Sequence, residues 1–155
     1  MTHDIPTVPQ NDPSETIMAA LAHGMNGQPE KAMPLFRPFI EGGAVTTVGL
    51  CAALAEMSAI GPRRDLPKGG TFRLLVLDAD TGEHGDINTL PPGIRFAAQF
   101  STAWGNDDRD TAYALFEALV SPGTEAAAEA SADGIRALFD MAVVSLNELT
   151  GRRTA

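Results

Sequence analysis

Apolar residues recur along most of this chain at the spacing of helices rather than of strands. Ile17, Leu21 and Met25 fall on one face of a helix. Asp12 or Ser14 caps the start of that helix, and Asn26-Gly27 ends it, because both residues tolerate a left-handed backbone. The next segment, PEKAMPLFRPFIEGG, starts well at Pro29, but Pro34 and Pro38 each delete an amide hydrogen bond. It is expected to be a bent helix that restarts at Pro34 and stops at Gly42-Gly43. The space beside Met33–Phe39 is then a candidate contact surface. Val48, Leu50, Leu54 and Met57 predict a third helix over about 45–60, and the breaker-rich GPRRDLPKGG (61–70) reads as a linker. Further on, Ile94, Phe96, Ala97 and Phe100 predict a helix over about 91–103. Asn106-Asp107-Asp108 is a turn with ready caps, followed by an uninterrupted helix over 108–120 and a Ser121-Pro122-Gly123 stop. The last helix, 124–149, carries the stripe Ile135, Leu138, Phe139, Ala142 and Leu146, and is either continuous or split at Asp133-Gly134.

One stretch departs from this spacing. Phe72, Leu74, Leu75, Val76 and Leu77 form a short apolar run between Gly69-Gly70 and Asp78-Ala-Asp-Thr-Gly82, which reads as a strand. Residues 83–87 would return as its partner. A lone hairpin is marginal in water, so its edge is expected to pair with the same edge of a second copy. Those five residues are therefore the expected dimer interface.

The two halves also look alike. Residues 19–42 and 97–123 share Leu-Phe pairs (Leu35-Phe36, Leu115-Phe116), Ile40 against Val120, and Gly27 against Gly105. Helices opening at Gly49 and Gly134 follow the two segments. The expected fold is mainly α with a small β-hairpin, built as two related antiparallel three-helix units packed in one domain. Unit one is 14–60, the linker and hairpin 61–87, and unit two 88–150. Residues 1–13 form an N-terminal arm and 151–155 a frayed tail. The helix pairs with Asn26-Gly27 and Gly105-Asn106 elbows resemble tetratricopeptide-type hairpins in shape, over two helix pairs at most. The repeat of about 80 residues departs from the roughly 34 of that family, and its Trp and Tyr positions are out of register. The resemblance implies a shape and no function.

Composition narrows the function classes. The 155 residues are 44% hydrophobic and 20% charged, as in a folded domain. Aromatics are only 6%, so an Ala- and Leu-based core leaves room for partner surface, such as a second copy. The net charge of −9, spread along the chain, argues against direct nucleic-acid binding. Many arginines against two lysines, Lys31 and Lys68, with abundant alanine, fit a high-GC bacterial source. The single cysteine, Cys51, lies in an apolar run and reads as a small buried residue. No secretory signal and no membrane-length apolar run is evident, so a cytoplasmic location without membrane attachment is expected.

Candidate chemistry is sparse. Asp78, Asp80, Glu83, His84 and Asp86 are the densest cluster of metal-binding types, but Gly82 stands where a calcium loop needs a third ligand and no closing Glu follows. An ordinary turn explains the same residues. Glu30, Glu41, Asp110 and Glu117 fall on expected solvated faces rather than in paired acid–base positions. No Gly-x-Ser-x-Gly elbow or phosphate loop occurs, and no cofactor is implied. Trp104 and Tyr113 flank the second elbow as a core plug or an interface anchor. The doublets Arg63-Arg64 and Arg152-Arg153 read as solvated. The resulting expectation is a non-enzymatic, homodimeric helical module for protein interaction or regulation. One alternative is a small-ligand binder or enzyme with a pocket near Met33, Phe36, Trp104 and Phe116. A second is an acidic nucleic-acid mimic.

Overall fold

The computed structural model describes residues 12–72 and 81–151, and within them six α-helices make the fold. They are α1 (Pro13–Met25), α2 (Pro29–Glu41), α3 (Ala44–Asp65), α4 (Pro92–Gly105), α5 (Arg109–Val120) and α6 (Glu125–Leu149). Local chemistry sets most of the ends. Asp12 Oδ1 accepts the Ser14 amide at 3.0 Å, Asp108 Oδ1 the Thr111 amide at 3.2 Å, and Thr124 Oγ1 the Ala127 amide at 3.1 Å. The α1–α2 and α4–α5 elbows share one backbone geometry. Asn26 closes α1 at φ −89°, ψ 10°, and Asn106 closes α4 at φ −88°, ψ 9°. The left-handed residue that follows is Gly27 (φ 73°) in one elbow and Asp107 (φ 59°) in the other. Asp107, and not Gly105, is thus the geometric counterpart of Gly27.

Two helices run further than their breakers imply. α2 continues unbroken through both prolines, which lie on its exposed side while Ala32 and Phe36 are buried. α3 passes Gly61-Pro62, where one tertiary bond, from the Gly61 amide to Ser145 Oγ of α6 at 3.0 Å, and one within the helix, from Arg63 to Glu56, hold the turn. α6 is a single helix and does not split at Gly134.

α3 and α6 form the central pair, and the hairpins α1–α2 and α4–α5 pack around it. Phe36, Phe100, Phe139, Leu50 and Leu54 are fully buried, with Phe36 and Phe139 edge to face at 5.7 Å. α6 also packs extensively on α4, whereas α3 makes no comparable contact with α1. The reason is two glycines at the α4–α6 crossing. A Cβ on Gly93 would lie 2.5 Å from the Ala130 carbonyl oxygen, and one on Gly134 would lie 2.8 Å from the Phe96 ring. At the same positions in the first half stand Pro13 and Leu54, which are not glycines.

The expected β-hairpin is not found. Among the described residues there is no strand or sheet. Phe72 does not open a strand, because the Asn106 side chain takes both its main-chain groups: the Phe72 amide donates to Oδ1 at 2.6 Å and Nδ2 donates to the Phe72 carbonyl at 3.0 Å. In the expected return segment His84 makes a single isolated β-bridge, and the segment leads into a 3-10 turn, Ile87–Thr89, capped by Asp86. Leu74, Leu75, Val76 and Leu77 lie outside the described residues. α3, at mean hydropathy 1.5 over its best window, is long and apolar enough by length and composition to cross a membrane, which corrects the expectation that no segment reaches that length. Here Leu50, Cys51, Leu54 and Ala55 bury its inner side in the core.

Candidate functional site

The α2–α3 and α5–α6 turns flank an open groove of about 490 Å³ at the seam between the two halves. Ile40, Phe116, Val120 and Ile135 supply its larger apolar groups, and Gly43, Gly123, Ala127, Ala128 and Ala132 leave it wide. The two turns contribute matching positions at a constant offset: 40 with 120, 43 with 123, 47 with 127. None of the lining residues is ionisable. The hydroxyls on the groove are engaged with nearby backbone. Thr47 Oγ1 donates to the Gly43 carbonyl at 2.7 Å, Ser131 Oγ donates to the Ala127 carbonyl at 2.8 Å, and Thr124 caps α6. The groove's polar side chains are thus three hydroxyls, two of which commit their protons to backbone carbonyls.

A second cluster surrounds the α4–α5 elbow. Trp104 Nε1 donates to Glu56 Oε2 at 2.8 Å, and Arg63 Nη1 donates to Glu56 Oε1 at 2.6 Å. The Arg109 guanidinium carbon sits 3.5 Å from the Trp104 ring centre, and Tyr113 meets the same indole edge-on at 6.2 Å. The buried Arg109 Nη1 has no oxygen partner; the indole face is the electron-rich surface beside it. Burial works against the ionised Glu56. The hydrogen bonds from Trp104 and Arg63 and the positive charges of Arg63 and Arg109 outweigh it and hold the carboxyl below its ordinary value. Phe72 lies across Gly105, where an added Cβ would meet its ring at 2.7 Å. Apart from Arg109 Nη1 these groups bond to one another, and they tie the segment after α3 to the elbow. They form a structural clasp.

Comparison with protein families, with curated proteins and with solved structures finds no match. The site is therefore read from its own geometry.

The four residues of the expected pocket do not converge. Phe36 is in the core, Trp104 belongs to the elbow clasp, and Met33 lines a separate open cavity of about 570 Å³ on α2 with Pro34 and Arg37. Only Phe116 reaches the seam groove. Glu83, His84 and Asp86 are exposed, and Asp86 Oδ1 already accepts the Asn88 amide at 2.9 Å. Asp78 and Asp80 lie outside the described residues, and among the described ones no three metal-binding side chains gather. Burial pushes the Cys51 thiol up to about 12, away from thiolate chemistry. Of the expected interface residues only Phe72 is described, half-buried in the clasp. Sequence reasoning missed Glu56 and the groove. Its one available signal was the matched pair Ile40 and Val120, which sit on opposite sides of the seam.

Proposed function

We propose that this protein is a non-catalytic helical interaction module that works as a homodimer, with the seam groove as its binding surface. One observation carries this reading. The groove is open, apolar and uncharged, and its hydroxyls are engaged with nearby backbone. Small-molecule sites combine apolar walls with a few converging polar groups that fix orientation. A surface lined by apolar groups and a few hydroxyls, with no ionisable side chain, fits the apolar face of another protein, whose burial needs few hydrogen bonds in return. The same feature weighs against the small-ligand alternative. The acidic-mimic alternative also loses ground, because the row Glu125, Glu129, Asp133 on α6 is broken by Arg136, which pairs with Asp140. Light scattering tests the reading directly. The full chain, of 16.3 kDa, is expected to show twice that mass at micromolar concentration. A monomer mass throughout the accessible concentration range would remove the homodimer.

A further inference from the structure

We infer that a second pocket, between α4, α5 and the first turns of α6, is a binding site for a small carboxylate with an apolar body. The inference goes beyond the homodimer reading and does not depend on it.

The pocket holds about 410 Å³, at the small end of ligand sites, and adjoins the seam groove, with which it shares Thr124 and Ala127. Phe96, Leu115, Leu119 and Pro122 give it apolar walls. Besides the Thr124 hydroxyl that caps α6, its lining holds two polar side chains one turn apart on α4, Arg95 and Gln99, both partly buried. Apolar walls with a few polar groups that fix orientation are the composition of a ligand site.

The polar pair is uncommitted. Arg37, Arg63, Arg64, Arg109 and Arg136 each pair with a carboxylate, and among the described residues Arg95 alone of the arginines does not. No lining residue is acidic, and Glu125, Glu129 and Asp133 of α6 form no ion pair with Arg95. The Gln99 side chain has no hydrogen-bond partner among the described residues either. Two other open cavities differ on this point. The one on α2 is lined by Glu30 and Glu41, and the one between α3 and α6 by Asp140 and Glu148, so that both disfavour an anion.

The internal likeness of the two halves shows what is particular to this pocket. The offset that pairs Ile40 with Val120 sets Glu15 and Ala19 against Arg95 and Gln99, and Thr46, Thr47 and Leu50 against Ala126, Ala127 and Ala130. The second half carries a cation where the first has an acid, and alanines where the first has three larger side chains. The smaller side chains leave the volume, and the cation gives it a preference. A guanidinium and an amide N–H are donors matched to the two oxygens of a carboxylate. One positive charge compensates a monoanion but leaves a phosphate dianion in excess on a chain of net charge −9.

Isothermal titration calorimetry of the full chain tests this with three probes. Octanoate has both the charge and the apolar body, octanol keeps only the body, and acetate keeps only the charge. One octanoate is expected to bind per chain, roughly tenfold or more tighter than octanol, the factor that a charge-assisted hydrogen bond supplies. Acetate should give no measurable heat. Arg95→Met keeps an apolar stem without the guanidinium. It should melt as wild type does, weaken octanoate to the level of octanol, and leave octanol unchanged. The inference is overturned if either control probe binds as tightly as octanoate, if octanoate does not saturate, or if Arg95→Met keeps the preference. Sedimentation of the same samples reads the homodimer separately: a monomer that binds octanoate would remove the dimer and leave the pocket standing.

Discussion

Glu56 illustrates how a single side chain couples distant parts of the chain. It is only partly buried, yet it takes hydrogen bonds from Trp104 of α4 and from Arg63 one to two turns along its own helix. Its depressed pKa has a definite consequence for stability. The unfolded carboxyl titrates near its ordinary value of 4.5 and the folded one below it. Between the two the unfolded chain binds more protons, so stability falls with acidification. Glu56 should therefore contribute fully above that ordinary value and lose its contribution as pH drops through the folded value. Thermal melts between pH 7 and pH 3 are expected to show Glu56→Gln less stable than wild type at neutral pH, with the difference closing in acid. A constant gap across that range would mean that the clasp depends on shape rather than charge. Nothing in the sequence pointed to this residue. Glu56 and Trp104 are remote in the chain, and an isolated Glu in a helix is read as a solvated face. By contrast, the Asp12 and Asp108 caps were legible, because each bonds to an amide two or three residues away.

Among the elements, the pairing of α4 with α6 depends on two missing side chains. Gly134→Ala must displace the Phe96 ring, 2.8 Å from the added Cβ, and is expected to cost about 1–3 kcal/mol in chemical denaturation. Gly49, the residue that the sequence aligns with Gly134, faces open space in the middle of α3. Gly49→Ala should therefore stabilise by roughly 1 kcal/mol, the helix-propensity gain alone. Opposite signs for the same substitution at two positions that look equivalent in sequence would establish that helix packing, and not composition, separates the two halves. The apolar run opening at Phe72 was misread for a related reason. Strand propensity registers β-branched and apolar residues but not whether a neighbouring strand exists to pair with them. At Phe72 the main-chain groups are taken by the Asn106 side chain, an interaction between residues far apart in the chain that no local propensity registers.

For the whole molecule, the decisive quantity is a net charge of −9 set against an uncharged seam. On the proposed homodimer reading, association through that groove would bury apolar area against a background of like-charge repulsion. Added salt screens the repulsion and leaves the apolar contact intact. Sedimentation in about 0.05 and 0.5 M sodium chloride, over which the Debye length falls by about threefold, is expected to show a tighter dimer at the higher salt. A dimer that dissociates with salt would instead be held by ion pairs and would have to meet elsewhere. By itself the sequence determined the positions of the six helices and most of their ends, since these depend on spacing within a turn and on bonds to amides a few residues away. Tertiary structure alone decided the rest: the continuation of α3 through Pro62, the α4–α6 crossing at Gly93 and Gly134, the clasp around Trp104, and the seam groove. Each of these arises where residues distant in the chain meet, and whether they attract, collide or leave a gap depends on volumes and directions that no local pattern encodes.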